Sequence, residues 1–420
     1  MLNSILLYLD PGSGSMLLSA VAGIIATLYF LIKGVFFKLL NMPAYLSGKR
    51  TKSAIKDKIV FYSEGGQYWN VFKPIIEELN HREISCLYLT SKENDEGLSC
   101  GLDHVKTKYI GEGNKAYFVL NTLSAELLIM TTPGVDVLQI KRSRGVRKYV
   151  HITHSAGGCS GYATYGVDYY DVVLTGGTGD KAMIEDLERA RGTHKKDIRI
   201  IGCTYLDVLR KKLRETDAEL YFERVRPTIM LSPTWGLHGL LRKSGETILK
   251  QLTLLDRYNI IVRPHPQAFI SDKDVMEKLT ALFPDSETLR WDNAPDGLNS
   301  MRQSDMMISD FSGVLFDYIF LFEKPVLSFK GHYDKRGHDS MDLSDDPWNL
   351  RMLEKTGLSI SHDDLSTLPD IVENQLKGGT AISTFLDELR DGMDKYPDLS
   401  GIRGADAVES LLMANDAQIS

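Results

Sequence analysis

The stretch that most constrains the fold of this chain runs from residue 304 to residue 329. An apolar strand, a polar turn, a helical segment and a second apolar strand follow one another there, which predicts a β-turn-α-β unit. Ser312 and Gly313 stand where the helix begins, so free backbone N–H groups and the helix dipole face the turn and favour an anion such as a phosphate. The alternative is that Ser312 only caps the helix and Asp310 is a turn residue.

The same alternation of short apolar and amphipathic segments covers most of the chain beyond residue 58. Residues 58–66 predict a buried strand that ends in the glycine pair Gly65-Gly66, and residues 70–80 predict the helix after it. Further strands are predicted at residues 84–89, 127–131, 148–152, 172–175 and 198–201. A second series begins after Arg226-Pro227, with strands in TIMLSP, NIIVRP, MMIS and PVLSF and helices at residues 246–255 and 272–282. This rhythm predicts an α/β fold of two domains, each with a mostly parallel sheet and helices on both faces.

These patterns divide the chain into five predicted segments. They are a membrane anchor at residues 1–40, a basic juxtamembrane linker at 41–57, a first Rossmann-like domain at 58–225, a second at 226–375, and C-terminal helices at 376–420. A charged helix in the neighbourhood of residues 206–225 is expected to join the two domains.

Length, charge and cysteine content exclude several classes of protein. A chain of 420 residues with 43% hydrophobic residues can bury large cores, so it is not disordered. The net charge of -7 argues against general nucleic-acid binding, which needs a basic surface. The four cysteines show no CxxC spacing and do not cluster with histidine, which argues against a zinc site and against a disulfide scaffold. A reducing cytosol fits this pattern.

The amino terminus differs from the rest of the chain. Residues 11–32 carry no charge and are apolar enough for a membrane-spanning helix. Basic residues predominate from Lys33 to Lys58, so the positive-inside rule predicts a single-pass anchor in the cytoplasmic membrane with the catalytic body in the cytoplasm. A cleaved signal peptide is the first alternative, although residues 1–10 lack a positive region. A re-entrant or interfacial helix is the second, because glycines and Lys33 interrupt the apolar run.

Reactive side chains stand in the loops after predicted strands, where ligands bind in open α/β sheets. The first such loop contains His151 and His154 and leads into Gly157-Gly158. His154 lies beyond the strand end and is a candidate general base, since the pKa of histidine lies near neutral pH. His151 lies within the strand, where a structural histidine is more common. Zinc ligation by the two histidines is the alternative, but no third ligand is recognisable nearby.

Three further loops carry candidate ligand-binding residues. Thr234-Trp235 follows one strand, although a packed tryptophan in a turn explains it too. Arg263 and His265 alternate with two prolines that fix the backbone, so these side chains can bind the oxygens of a phosphate. Together with the helix start at Ser312, they are expected to converge on one diphosphate. No paired carboxylate indicates a metal site, so neither a metal nor another cofactor is expected.

Three motifs in this order resemble the CDP-glycerol glycerophosphotransferase family, the teichoic-acid polyol-phosphate transferases. They are MLSPTW at residues 230–235, RPHP at 263–266 and SDFSGVLFDYIFLFEKPVLSF at 309–329. The resemblance covers roughly residues 140 to 335. It also touches His154, in a loop where the family has tryptophan-histidine-glycine-threonine, and Cys203-Thr204-Tyr205, where the family has a proline-arginine turn. The donor side is therefore better supported than the acceptor side.

The resemblance implies a GT-B-like fold of two facing Rossmann-type domains, and transfer of a polyol phosphate from a CDP-alcohol to a hydroxyl with release of CMP. The implied acceptor is a membrane-associated glycan or a lipid-linked glycan of the cell envelope. His154 is implied as general base, and His265 with Arg263 is implied to hold the diphosphate and stabilise the leaving CMP. The residues implied to bind substrate are Gly65, Gly66, Thr234, Trp235, Arg263, Asp310, Ser312, Gly313 and Asp317.

Two other classes of function stay open at the level of sequence. A GT-B glycosyltransferase that uses a nucleotide sugar would share the fold and the phosphate site, because a fold alone does not set the chemistry. A non-catalytic scaffold of envelope assembly would keep the fold without the reaction. Loss of Arg263 or His265 would favour the scaffold, and both residues are present.

Overall fold

A computed structural model describes residues 58–217, 219–222, 226–254, 256–294, 296–310, 312–330, 335–355, 359–378 and 382–416. The predicted membrane helix and the basic linker lie outside these residues. Among the helices that the structure describes, none has the length and apolar character needed to cross a membrane.

The first half of the described chain forms a parallel sheet of seven strands in the order β3-β2-β1-β4-β5-β6-β7. The strands are β1 (Ile59–Ser63), β2 (Cys86–Thr90), β3 (Val105–Tyr109), β4 (Ser124–Met130), β5 (Gly145–Ile152), β6 (Val172–Thr175) and β7 (Asp197–Ile200). Val60 of β1 lies between Leu87 and Leu128, which sets the register at the centre of the sheet. Alternate residues of β1 enter separate cores on the two faces, which explains why the strand is apolar throughout.

The second half forms a parallel sheet of six strands in the order β10-β9-β8-β11-β12-β13. The strands are β8 (Thr228–Leu231), β9 (Asn259–Val262), β10 (Leu289–Trp291), β11 (Met306–Ser309), β12 (Val326–Phe329) and β13 (Ser359–Ile360). Met230 of β8 packs into one core and Ile229 into the other, so this sheet too is covered on both faces. The predicted α/β fold with two parallel sheets is therefore confirmed.

Helices cover both sheets. Those that follow strands of the first sheet are α1 (Trp69–His81), α2 (Asn114–Asn121), α3 (Thr178–Arg191) and α4 (Thr204–Glu215). Those that follow strands of the second are α5 (Leu240–Leu254), α6 (Ala268–Ser271), α7 (Lys273–Leu282), α8 (Leu298–Gln303), α9 (Val314–Phe322), α10 (Trp348–Lys355) and α11 (Leu368–Leu376). The predicted extent of the joining helix is wrong, because α4 ends at Glu215. Helix α4 packs against both α1 and α9.

The last two helices, α12 (Leu386–Met393) and α13 (Ser400–Asp416), return towards the first sheet. Helix α13 packs against α1, and Val408 and Leu411 join the core on that face. A Cβ atom at Gly401 would lie 2.7 Å from the carbonyl oxygen of Pro74, so the close approach of the two helices requires glycine there.

The strand orders place the candidate loops. Each sheet is built outward in both directions, from β1 and β4 in the first and from β8 and β11 in the second. Ligands of open α/β sheets bind where the order reverses, beyond the carboxyl ends of the strands. The loops after β1, β8 and β11 lie at these positions, and the loops after β5 and β9 lie one strand further out.

Candidate functional site

His154 follows the carboxyl end of β5 and is half-buried. Its Nδ1 lies 3.0 Å from the hydroxyl of Tyr162, and the two rings stack with centroids 5.5 Å apart. The ring of Tyr68 meets it edge-on at 5.4 Å. Burial lowers the pKa of His154 to about 4, so the imidazole is neutral at pH 7 and has one nitrogen able to accept a proton.

His151 lies inside β5, as the sequence predicted, between Met130 of β4 and Val173 of β6. It is fully buried, and burial lowers its pKa to about 3, with the neighbouring His154 adding to the effect. Its Nε2 lies 3.2 Å from the same hydroxyl of Tyr162. Sequence reasoning missed Tyr162, because a tyrosine in a loop eight residues after His154 carries no periodic signal.

Gly65 and Gly66 shape the loop after β1. Gly65 has an extended backbone, its carbonyl accepts a hydrogen bond from Ser63 Oγ at 2.7 Å, and a short 3-10 helix begins at Gly66. That helix ends at Tyr68, which contacts His154. The glycine pair therefore positions an aromatic neighbour of the candidate base.

Asp310 holds the loop after β8 from the end of β11. Its carboxylate accepts hydrogen bonds from the backbone N–H of Thr234 at 2.9 Å and of Leu240 at 3.1 Å. Asp310 is buried, which raises the pKa of its carboxyl to about 6. The structure thus shows Asp310 fixing the loop that carries Thr234 and Trp235.

Arg263 at the end of β9 forms an ion pair with Asp292 at 2.7 Å, and a second nitrogen donates to the carbonyl oxygen of Ala294 at 2.9 Å. These residues line a cavity of about 260 Å³. A Cβ atom at Gly297 would lie 2.9 Å from Nε of Arg263, so the chain passes close to the guanidinium. The arginine is therefore already held in place by the loop after β10, with part of its side chain at the cavity wall.

His265 is exposed, in contrast to His151. Its Nδ1 accepts a hydrogen bond from the backbone N–H of Gln267 at 3.1 Å, so in the neutral ring Nε2 carries the proton. Partial burial lowers the pKa of His265. The ring of Trp235 lies 6.2 Å away and is 43% exposed. His265 thus presents an N–H donor beside an accessible aromatic surface.

Helix α9 begins directly after Ser312 and Gly313, and no side chain caps it. Ser312 is therefore not the side-chain cap that the alternative interpretation assumed. Asp317 lies in the first turn of α9, where burial raises the pKa of its carboxyl to about 7 and the carboxylate of Asp394 adds to the shift. The start of α9 packs against Gly157, and the helix dipole favours an anion there.

The loops of the two sheets meet at a pair of glycines. A Cβ atom at Gly157 would lie 3.3 Å from Cα of Gly313, tighter than side chains normally pack. Nδ2 of Asn349 donates to the carbonyl oxygen of Gly157 at 3.2 Å and adds a second link. This contact brings the loop that contains His154 to the start of α9.

The described residues thus place most of the candidates in two groups. His154 lies with Tyr68 and the turn at Gly65-Gly66, and its loop touches Gly313. Trp235 and His265 lie together across the second sheet, with Arg263 in the adjacent cavity wall. Within this part of the chain, no three His, Cys, Asp or Glu side chains are arranged to hold a metal ion.

Comparison with known proteins agrees with this architecture. A family model described as CDP-Glycerol:Poly(glycerophosphate) glycerophosphotransferase matches residues 47–345. The wall teichoic acid polymerase TagF, in a form soaked with CDPG, aligns at 15% identity with a TM-score of 0.57, covering 95% of this chain and 99% of that chain. A UDP-GlcNAc 2-epimerase from Neisseria meningitidis bound to UDP-GlcNAc aligns at 13% identity with a TM-score of 0.51, covering 86% and 100%. No curated protein sequence matches the chain.

The two kinds of likeness carry different weight. Structural similarity at such low identity shows the fold alone, and that fold serves both a polymerase and an epimerase. The family model covers well over half of the chain and includes all three motifs and His154. The protein therefore belongs to the CDP-glycerol:poly(glycerophosphate) glycerophosphotransferase family and is a transferase of that type.

Proposed function

We propose that the protein transfers a polyol phosphate from a CDP-alcohol to a hydroxyl of a cell-envelope glycan or glycolipid, with release of CMP. The observation that carries this proposal is the contact between two strand-end loops. Gly157, three residues after His154, lies against Gly313 at the start of α9. The loop that carries the candidate base therefore lies against the helix start that we assign to anion binding.

The donor binds at the second sheet. Nε2–H of His265 donates to a phosphate oxygen, and the guanidinium of Arg263 supplies positive charge from the cavity wall. The backbone at Ser312 and Gly313 completes the anion site at the start of α9. The accessible ring of Trp235 stacks on the nucleotide base. What supports this assignment is that Trp235 and the start of α9 follow the two strands at the switch point of the second sheet, β8 and β11, while Arg263 and His265 follow the neighbouring strand β9.

The reaction is a displacement at phosphorus. The acceptor oxygen forms a bond to the phosphorus that carries the polyol, the bond from that phosphorus to CMP breaks, and the acceptor proton passes to Nε2 of His154. In the free protein the pKa of His154 is about 4, which keeps it unprotonated. The negative charge of a bound diphosphate raises this pKa, so the base becomes stronger once the donor is in place.

The acceptor is membrane-associated, and the body of the protein lies at the cytoplasmic face of the membrane. The support is the charge-free run of residues 11–32, followed by a basic segment that precedes β1. Fractionation of cells that express the full chain and a chain starting at Lys58 tests this part. Equal recovery of both in the membrane fraction would contradict anchoring through residues 11–32.

A panel of donors tests the activity. The purified protein is incubated with CDP-glycerol, CDP-ribitol and several nucleotide sugars, and both CMP release with a glycan acceptor and the melting temperature are measured. We expect a CDP-alcohol to raise the melting temperature and to release CMP in an acceptor-dependent manner. Turnover of a nucleotide sugar without turnover of any CDP-alcohol would establish a glycosyltransferase instead. Binding without turnover of any donor would favour the scaffold.

A further inference from the structure

A buried tyrosine hydroxyl joins the two histidines of the first sheet. The hydroxyl of Tyr162 lies 3.0 Å from Nδ1 of His154 and 3.2 Å from Nε2 of His151. We call these three side chains the histidine chain. His151 and Tyr162 are 0% and 7% exposed, so bulk water does not replace either partner. The two imidazoles are coupled through one oxygen that has a single proton to donate.

Protonation of His154 fixes the direction of the hydrogen bonds in this chain. An imidazolium donates from both nitrogens, so the oxygen of Tyr162 must accept from Nδ1 of His154. The proton of Tyr162 then points to Nε2 of His151, which must be an unprotonated acceptor. Burial holds the pKa of His151 at about 3 and keeps it neutral for this role.

When His154 is neutral, the hydrogen bonds of the histidine chain can also point in the opposite direction. Nε2–H of His151 then donates to Tyr162, and Tyr162 donates to Nδ1 of His154. In that arrangement Nε2 of His154 carries the proton and cannot take another from an acceptor hydroxyl. Nδ1 of His151 has no hydrogen-bond partner among the described residues in either arrangement, so no further group on that side selects the direction.

We propose that Tyr162 is a positioning residue for the transfer, which stabilises protonated His154 by accepting from its Nδ1 while donating to His151. His151 serves as the neutral acceptor that makes this direction available. The inference rests on the proposed role of His154 as general base. The acceptor proton binds Nε2 of His154, and the protons on Tyr162 and His151 stay where they are.

The position of Tyr162 depends on the second half of the chain. Its carbonyl oxygen accepts from the backbone N–H of Asp339 at 2.8 Å, and Ala163 forms an antiparallel bridge with His338. The carboxylate of Asp339 accepts from the backbone N–H of Tyr165 at 2.8 Å, in the same loop. The backbone of Tyr162 is thus held by contacts with the segment between β12 and β13 of the second sheet.

Substitution of two tyrosines separates this role from a packing role. Tyr162→Phe removes the hydroxyl and keeps the stacked ring. Tyr170→Phe is the matched control, because Tyr170 is also fully buried and meets the ring of His151 at 4.9 Å, while its hydroxyl donates to the carbonyl oxygen of Thr132. The ring of Tyr68 also contacts His154, and it is the same in both variants.

Nitrogen-15 NMR of histidine in the full-length protein reports the pKa and tautomer of His154, with its signals assigned from His154→Gln. We expect Tyr162→Phe to lower the pKa of His154 and to lower kcat about 10- to 100-fold, the usual effect of losing a hydrogen bond to a charged group, without changing KM for the donor. Tyr170→Phe changes none of these. His151→Leu shifts His154 towards the tautomer protonated on Nε2 and lowers kcat, whereas His151→Gln retains an acceptor and restores part of the rate.

An unchanged pKa and tautomer of His154 in Tyr162→Phe overturns the inference, at any level of activity. So does an equal effect of Tyr162→Phe and Tyr170→Phe. The proposed role of His154 as general base fails by a different result, normal transfer by His154→Gln, and the proposed transfer itself fails if no CDP-alcohol is turned over. In that event the NMR measurement still decides whether Tyr162 controls the protonation of His154.

Discussion

The carboxyl-terminal edges of the two parallel sheets differ in how their polar side chains are bonded. At the first sheet, the members of the histidine chain bond to one another and are withdrawn from water, which lowers the pKa of His154 to about 4. At the second sheet, polar side chains bond mainly to the backbone of neighbouring loops: Asp310 bonds to Thr234, and Arg263 bonds to Ala294 in addition to its ion pair with Asp292. His265 there remains exposed.

This difference in bonding suits the two edges to different functions. A desolvated, mutually bonded set of titratable groups changes its protonation when charge arrives, which suits proton transfer. Side chains that brace loops and leave N–H donors pointing outward suit binding of an anion without any change of protonation. We therefore assign chemistry to the first edge and donor binding to the second.

The largest expected effect tests the chemical edge directly. His154→Ala should lower the transfer rate by about 10²- to 10⁴-fold, the usual contribution of a general base, and leave donor affinity unchanged. His265→Ala is the comparison at the binding edge: it should weaken donor binding about 10- to 100-fold without loss of stability, because the side chain is exposed. Kinetics with a CDP-alcohol, calorimetry and thermal melting measure these quantities. Normal transfer by His154→Ala, with a stable but inactive His151→Ala, would make His151 the base.

A second test sharpens the double role of Arg263. Arg263→Ala should lower the free energy of unfolding by about 3 kcal/mol, because it leaves the buried carboxylate of Asp292 without its cation, and should also weaken donor binding. Adding Asp292→Asn should recover the stability and leave the binding weak. Denaturant unfolding and donor titration check the pair. Recovery of both properties in the double variant would show that Arg263 acts only on the loop.

A third test uses pH. The folded-state pKa of His151 is about 3 and the unfolded-state value about 6.5, so as pH falls from 7 to 5 the unfolded chain binds a proton that the folded one does not. Acidification from pH 7 to pH 5 therefore lowers the free energy of unfolding by about 2 kcal/mol. At pH 7 this stability is fully present. The carboxyls of Asp180, Asp310 and Asp317, whose pKa values are raised, oppose this trend.

The comparison of wild type with His151→Gln isolates the contribution of His151 to the pH dependence of stability, because both proteins share those carboxyls. Denaturant unfolding at several pH values should show a flatter loss of stability between pH 7 and pH 5 in the variant. Parallel curves for the two proteins would mean that His151 is not desolvated as the structure shows.

The smallest expected effect concerns the junction of the two edges. Gly157→Ala should lower transfer severalfold, because its Cβ atom meets Cα of Gly313 at 3.3 Å and forces the loops apart by a few tenths of an ångström. Gly313→Ala meets Gly157 at an ordinary 3.8 Å and should cost less, whereas a bulky residue there would obstruct the helix start. Initial rates at saturating donor measure the ratio. A greater loss of transfer rate in Gly313→Ala than in Gly157→Ala would contradict the expectation that a Cβ atom at Gly157 makes the tighter contact.

Much of the fold followed from local pattern, and the strands that the prediction missed share one feature. The central strands β1, β4 and β5 were predicted because each contains a run of residues that is buried on both faces of the sheet and is mostly apolar. The prediction missed β3, β10 and β13, each of which lies at an outer edge of its sheet. An edge strand is half exposed and carries polar residues, so its sequence resembles a loop.

The sequence by itself determined that two parallel sheets form and that His154, Arg263, His265 and Ser312 follow strand ends, because these features depend on burial patterns within short segments. Only the tertiary structure decided which of them have partners. Tyr162 reaches both histidines, Asp310 reaches Thr234 across 76 residues, and α13 returns to α1. Hydrogen bonds and helix contacts between segments far apart in the chain leave no period in the sequence, since any residue of the right chemistry at the right place in space can make them.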